Sequence, residues 1–175
     1  TQVFGLLLKI QVENFPVYYI VGSSMWTFFS EATNLSMSSI MGASTLIKKV
    51  YVPKYIFPLE KCLFALENFI FSLIAVVIVM LFQRFVPPAT ALLFFIPVLY
   101  CFVFSVGIGL ILSALAVFFR DVVHLYSIVL TIWMYITPII YPIEVVQDSA
   151  LIYGIIQCNP MYYYVGYFRD LLMYN

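Results

Sequence analysis

The feature that most limits the fold of this chain is a run of 29 residues, 91–119, without one charged side chain. A helix of about 20 apolar residues crosses the hydrocarbon core of a bilayer. A membrane β-barrel would instead need segments of about ten residues that alternate apolar and polar side chains. This run, like the shorter run 73–82, shows no such alternation. It therefore predicts membrane-spanning helices.

The composition leads to the same class of protein. The chain has 175 residues, of which 65% are hydrophobic and 9% charged, whereas soluble domains are about 25% charged. Such a chain cannot cover a water-facing surface, which excludes a soluble globular enzyme and a disordered tail. Its net charge of zero provides no basic field for nucleic acid. Its three cysteines lack CxxC spacing, so neither a disulfide scaffold nor a metal site is expected.

Charged residues and prolines divide the chain into segments. We expect an all-α, polytopic transmembrane bundle forming one domain over residues 1–175. It would contain four full spans, preceded by the end of another helix. These segments are 1–14 for the preceding helix and 15–37, 62–82, 91–119 and 122–142 for the spans. Because the chain begins with Thr1 and has no basic n-region, no signal peptide is expected and the chain is interpreted as a fragment.

Residues 143–175 have a different pattern. Their apolar runs, 152–157 and 161–173, are too short to cross a bilayer and meet at Asn159 and Pro160. Pro160 suits the first turn of the second run, where a missing N–H has no cost. The pattern favours a re-entrant helical hairpin. The alternative is an amphipathic stretch that lies flat on the membrane.

Lysine and arginine predict the orientation of the bundle. With alternating spans, connectors 38–61 and 120–121 lie on one side and carry five of the eight basic residues. These five are Lys48, Lys49, Lys54, Lys61 and Arg120. That side should be cytoplasmic, which places the hairpin outside.

One face of the first span is polar. On a helical wheel, several hydroxyl, amide and carboxylate side chains lie within about 60° of Thr27. They are Ser23, Ser24, Ser30, Glu31, Asn34 and Ser38. A carboxylate at membrane depth costs about 2.5–3.5 kcal/mol on insertion scales, so it needs a partner or a wet cavity. The face either lines a polar path or joins packed helices through hydrogen bonds.

Two further spans carry recognisable patterns. Ser105, Gly109 and Ser113 are spaced by four residues, which predicts close packing of the third span against a neighbour. On the fourth span, Tyr126 and Trp133 share a face. Aromatic rings with polar tips suit stacking against sugars, or else an ordinary aromatic belt with core packing.

The chain contains no nucleophile–base motif and no Walker A sequence. Uphill transport would therefore draw energy from a partner or an ion gradient.

Six short motifs occur in an order and spacing that resemble a known family. They are GxxxWxFF at 22–29, LIKKVYVPK with IFPL at 46–59, FFRDV at 118–122, TPIIYP at 137–142, NPM at 159–161 and YFRD at 167–170. The series resembles the permease subunit of type-2 ABC exporters that move O-antigen, teichoic acid or capsular polysaccharide. The resemblance spans nearly the whole chain.

The resemblance implies a permease with six transmembrane helices in the bacterial inner membrane. Two copies would pair with two cytoplasmic ATPase subunits, which would bind ATP and Mg, and this chain itself would bind no cofactor, metal or nucleic acid. Its partners would be the ATPase, a second permease copy, membrane lipid and a polysaccharide.

The resemblance also implies roles for individual residues. The ATPase-coupling loop would comprise Lys48, Lys49, Tyr51, Pro53, Lys54 and Pro58. The substrate path would comprise Thr27, Glu31, Asn34, Tyr126 and Trp133. Arg120 and Asp121 would form a gating pair at the cytoplasmic turn, or a simple helix-end charge pair. Asn159, Pro160, Arg169 and Asp170 would belong to the external hairpin.

Three alternatives stay open at this point. The first is a drug or lipid exporter of the same superfamily. The second is a membrane-embedded glycan-modifying enzyme that uses His124 and Asp121. The third is an ion-coupled carrier that uses Glu31 and Glu67.

Overall fold

The computed structural model describes residues 15–85, 88–141, 143 and 150–173. Every regular element in these ranges is a helix. The elements are α1 (Phe15–Gly42), α2 (Ser44–Ile47), α3 (Ile56–Phe82), a 3₁₀ helix (Ala89–Leu93), α4 (Phe95–Phe118), α5 (Val122–Ile136), α6 (Ala150–Gln157) and α7 (Pro160–Met173). The all-α class is confirmed. The predicted end of a preceding helix in residues 1–14, and residues 144–149 of the hairpin, lie outside the described ranges.

Two helices in the described ranges are long and apolar enough to cross a membrane. They are Ile56–Phe82, with 27 residues, and the segment Thr90–Phe118, with 29. They correspond to the predicted second and third spans. Helix α3 begins six residues before the predicted start at 62, and the third span ends at Phe118, one residue before the predicted end. Helix α1 is as long, with 28 residues, and continues to Gly42 instead of ending at residue 37. The helix continues because no glycine or proline interrupts residues 37–41.

Helix α5 is shorter than predicted. The expected span 122–142 is helical only to Ile136. Pro138 disfavours a helical conformation at the residue before it, and Thr137 is accordingly extended, with ψ of 126°. Fifteen helical residues reach about 22 Å, which is less than the hydrocarbon thickness of about 30 Å.

Helix α1 is the centre of the bundle and packs on α3, α4 and α7. It runs antiparallel to α3, since Phe28 meets Phe69 while Ser36 meets Pro58 further along. It runs parallel to α4, because Phe29 stacks on Phe104 and the later Ser36 lies beside Gly109. The end of α1, the start of α3 and the end of α4 therefore lie at one end of the bundle. We call it the lysine end, because Lys48, Lys49, Lys54 and Lys61 belong to it.

Helix α7 leads toward the opposite end. Tyr164, in its second turn, contacts Phe104 near the middle of α4. Arg169, more than a turn later, lies over the ring of Tyr18 near the start of α1. The buried side of α7 is formed by Met161, Val165, Phe168 and Leu171. The spacing of these residues by three or four is that of one helix face.

The predicted close packing on α4 is confirmed. Ser105, Gly109 and Ser113 are all buried. A Cβ atom on Gly109 would lie 2.8 Å from Cβ of Ser36 and 3.6 Å from Sγ of Cys62. The absence of a side chain at Gly109 therefore lets α1, α3 and α4 meet at one point.

Candidate functional site

The polar face of α1 lies on the surface of the chain. Thr27, Asn34 and Ser38 are exposed, and Ser23, Ser24, Ser30 and Glu31 are partly exposed. The opposite face, with Val21, Phe28, Phe29 and Ala32, is buried against the other helices. Among the described residues, the hydrogen bond that joins this polar face to another helix is the one made by Glu31. We call this surface the polar stripe.

The serine hydroxyls of the polar stripe bond to their own helix. Ser23 donates to the carbonyl of Ile20 at 3.2 Å, and Ser24 donates to that of Val21 at 2.9 Å. Ser30 donates to the carbonyl of Thr27 at 3.1 Å. A hydroxyl has one proton to donate and two lone pairs that accept. With the protons used inside the helix, these oxygens present acceptors to whatever faces the stripe.

Glu31 is held by a residue of the neighbouring helix. Asn68 of α3 donates its side-chain amide N–H to Oε1 of Glu31 at 2.7 Å. A hydrogen bond to a carboxylate is shorter and stronger than one between neutral groups. Asn68 therefore fixes the position of the carboxylate at the edge of the stripe, and this partner was not identified from sequence.

The two aromatic residues predicted for the substrate path do not lie on the stripe. Trp133 packs edge-on against Phe29 at 5.2 Å and Trp26 at 6.4 Å between ring centroids. Tyr126 is buried, and its hydroxyl lies close to Thr33 without forming a hydrogen bond of good geometry within the described residues. Tyr126 thus belongs to the packing inside this chain, and one side of the Trp133 ring packs against the core. Of the predicted path residues, Thr27 and Asn34 are exposed, Glu31 and Trp133 are partly exposed, and Tyr126 is buried.

The predicted coupling residues separate into two groups. Lys48, Lys49, Pro53 and Lys54 are exposed, and Tyr51 is 99% exposed. Pro58, by contrast, is buried in the first turn of α3, where its carbonyl accepts a hydrogen bond from Ser36 at 3.0 Å. Pro58 therefore joins α3 to α1 and offers no surface for a partner.

The turn between α4 and α5 contains Arg120 and Asp121, both exposed. These two side chains form no ion pair with each other among the described residues, whereas Lys61 and Glu60 do, at 3.3 Å. A gating role for the turn stays a prediction. Asp121 instead precedes the first turn of α5, and its backbone carbonyl accepts from the N–H of His124 at 3.1 Å. Its position is that of a helix-end residue.

Asn159 links the start of α7 to α5. Its side-chain oxygen accepts from Nε1 of Trp133 at 2.7 Å and from the backbone N–H of Met161 at 3.0 Å. Its amide nitrogen donates to the hydroxyl of Thr137 at 2.8 Å. Pro160 is the first residue of α7, as predicted. Both the oxygen and the nitrogen of this buried side-chain amide therefore have hydrogen-bond partners.

Arg169 links the other end of α7 to the break after α5. This buried guanidinium donates to the carbonyls of Pro138 at 2.6 Å and Ile139 at 2.7 Å. It also donates to the carbonyl of Tyr18 at 3.3 Å, and its Cζ lies 3.7 Å from the centre of that ring. Gly22 provides the space, because a Cβ there would lie 2.7 Å from Cζ of Arg169.

The neighbouring Asp170 lies on the opposite, exposed side of α7. Partial burial raises the pKa of its carboxyl above the ordinary value, and the charge of Arg169 partly opposes this rise. Within the residues that the structure describes, no three metal-binding side chains come together.

Comparison with known proteins identifies a family and several relatives that this chain resembles. The chain matches the model of the ABC-2 type transporter family over residues 2–173. An O-antigen export system permease protein RfbA of Myxococcus xanthus is 30% identical over 158 residues, which is 90% of this chain and 61% of that protein. A protein of the same name from Klebsiella pneumoniae is 28% identical over 173 residues, 98% of this chain and 66% of that protein. The chain thus spans less than two thirds of the length of these relatives.

The match covers nearly every residue, and it falls on an all-helical chain whose helices include two of membrane length. The chain therefore belongs to the ABC-2 type transporter family.

Proposed function

We propose that this chain is the permease subunit of an ATP-driven exporter that moves an O-antigen-type polysaccharide outward across the bacterial inner membrane. The names of its relatives support this substrate class, since both are called O-antigen export permeases and match at least 90% of the chain. The chain itself supplies a passage and no catalysis. ATP and Mg belong to a separate subunit.

The observation that carries the proposal is the position of the polar stripe. Most of the exposed large side chains on α3, α4 and α5 are apolar and suit lipid. A surface with Glu31, Asn34 and several hydroxyls does not, because a carboxylate in lipid costs about 2.5–3.5 kcal/mol. We propose that the stripe faces an aqueous path formed with a second copy of the permease. Its hydroxyl and amide groups match the many hydroxyls of a saccharide.

The lysine end is the proposed contact for the ATPase. Lys48, Lys49 and Lys54 flank the fully exposed Tyr51 between α2 and α3. Long-range attraction would bring this basic segment to an acidic surface, and an exposed aromatic ring suits a contact at the centre of an interface. Two permeases and two ATPases would complete the exporter.

We propose further that α6 and α7 form a re-entrant hairpin on the external side. The bond of Asn159 to Trp133 supports this, because Trp133 packs against Phe29 at the middle of α1. Arg169 lies near Tyr18, close to the end of α1 that is opposite to the lysine end. Helix α7 would then rise from the middle of the bundle toward the outer surface.

The experiment replaces Asn34 of the stripe with leucine in the full-length protein. Asn34 is exposed, and its side chain forms no hydrogen bond to another helix within the described residues, so Asn34→Leu should leave insertion, yield and ATPase assembly unchanged. Export should fall by about tenfold, which corresponds to a loss of about 1.4 kcal/mol in transition-state stabilisation. The measurement is the amount of polysaccharide that reaches the cell surface in a strain that lacks its own permease.

Tyr100→Leu is the matched control, since it also removes a polar group from an exposed position, 59% accessible on α4 and away from the stripe. Full export by the Asn34→Leu protein would remove the stripe from the path. Restoration of drug or lipid efflux, without surface polysaccharide, would overturn the proposed substrate and leave the family unchanged.

A further inference from the structure

We propose that Asn159 and Arg169 are positioning residues that fasten the α6–α7 hairpin to the broken end of α5, so that a displacement of α5 reaches the hairpin through them. We call their hydrogen bonds to Trp133, Thr137, Pro138 and Ile139 the hairpin clamp. The inference rests on the proposed export function, because it concerns how motion would cross the bundle during transport.

The break after α5 creates backbone groups that need partners. Because α5 ends at Ile136, the carbonyls of Pro138 and Ile139 belong to no helical ladder. An unpaired carbonyl away from water costs several kcal/mol. Arg169 provides the donors at 2.6 and 2.7 Å. The conformation of the break is therefore stabilised by the position of α7.

Asn159 fastens the other end of α7 in the same way. It is 6% exposed and bonds the last turn of α5 through Trp133 and the extended Thr137. Asn159 and Arg169 lie ten residues apart, about 15 Å along a helix. Both ends of α7 thus hold the same short segment, residues 133–139.

The remaining packing of α7 involves different helices. Its apolar side meets α1, α3 and α4, with Phe168 near Phe69 and Tyr164 near Phe104. Its packing against the body of α5 is sparse. Removal of the clamp would also remove the contact of Arg169 with Tyr18, but the apolar packing would keep α7 seated on α1 and α4 while α7 separates from α5.

Helix α5 is also suited to move. Of its 15 residues only Tyr126 and Leu130 are buried, so few contacts hold it to the bundle. It begins at the exposed Arg120–Asp121 turn, at the lysine end, and ends at the clamp. A displacement at the lysine end would thus travel along one rigid helix to the hairpin.

The test uses the full-length protein with its ATPase subunits in lipid vesicles. A reporter thiol is placed on the exposed side of α7, toward its outer end, by Asp170→Cys, together with Cys158→Ser to remove the native exposed cysteine. The labelling rate with a membrane-impermeant maleimide is measured with and without ATP and vanadate. The variants are Asn159→Ala, Arg169→Gln and both together, and Gly166→Ala is the control, since a Cβ there meets nothing within 4 Å.

We expect ATP to change the labelling rate in the wild-type and Gly166→Ala proteins and to leave it unchanged in the clamp variants. The clamp variants should still assemble with the ATPase subunits. A variant that is only destabilised would lose this assembly. If Arg169→Gln fails to fold, Asn159→Ala, which removes only neutral hydrogen bonds, decides the matter. The inference is overturned if ATP still changes the labelling rate of the Asn159→Ala protein. It is also overturned if the wild-type protein exports polysaccharide while ATP leaves its labelling rate unchanged. Absence of export from the wild type would instead overturn the proposed function, and the inference with it.

Discussion

Gly22→Ala is expected to destabilise the protein more than an alanine at any other glycine that the structure describes, and to abolish export. Its Cβ would lie 2.7 Å from Cζ and 3.0 Å from Nε of Arg169. The guanidinium cannot move aside without losing its bonds to Pro138 and Ile139. Removal of the partners of a buried charge costs about 3–5 kcal/mol. Thermal unfolding of the purified full-length protein measures the effect.

A double-mutant cycle identifies the group that is displaced. In an Arg169→Gln background the shorter side chain no longer fills the space beside residue 22, so Gly22→Ala should add little further loss. Gly166→Ala, in open space on α7, is the matched control. Additive losses from Gly22→Ala and Arg169→Gln would show that the methyl group and the guanidinium do not compete for this space.

Gly109→Ala is expected to cost about 1–3 kcal/mol, the usual range for overpacking a close-packed interior. The new Cβ would lie 2.8 Å from Cβ and 2.9 Å from Oγ of Ser36. Ser36 cannot rotate away freely, because its hydroxyl donates to the carbonyl of Pro58 and lies 3.1 Å from Sγ of Cys62. The helices α1, α3 and α4 would have to separate. The same unfolding measurement reports this loss.

Gly107 offers a control two residues away on the same helix. A Cβ at Gly107 meets nothing within 4 Å, so Gly107→Ala should be neutral or stabilising by about 0.5–1 kcal/mol through helix propensity. Equal stability of the two alanine variants would contradict the three-helix contact at Gly109.

The sequence predicted those features that depend on neighbouring residues. Uncharged length identified α3 and α4, the four-residue spacing of small residues identified the contact at Gly109, and Pro160 marked the start of α7. Pro138 is a local signal against helix at the residue before it. The stability of the break before Thr137 also depends on partners for the freed carbonyls, and only the folded chain provides these partners.

The partners of buried polar groups could not be predicted in this way. Arg169 bonds Tyr18, 151 positions away, and Asn68 bonds Glu31, 37 positions away. A helical wheel shows which residues share one face of a helix, but it does not show which neighbouring helix packs against that face. A signal did exist for Arg169, since a cation within the apolar and aromatic run 161–173 needs buried acceptors. A signal also existed for Trp133, because it shares a helix face with Tyr126. That face of α5 packs against the core of the bundle.

The central claim is that the lysine end faces the cytosol and the α6–α7 hairpin faces outward. Its most direct measurement is labelling of Tyr51→Cys and Asp170→Cys variants, each with Cys158→Ser, in intact spheroplasts that express the full-length protein. Both positions are exposed, and Asp170 lies toward the end of the bundle that is opposite to the lysine end. An impermeant maleimide should label the variant at position 170 directly and the variant at position 51 only after the membrane is permeabilised. Labelling at position 51 in intact spheroplasts would contradict the account.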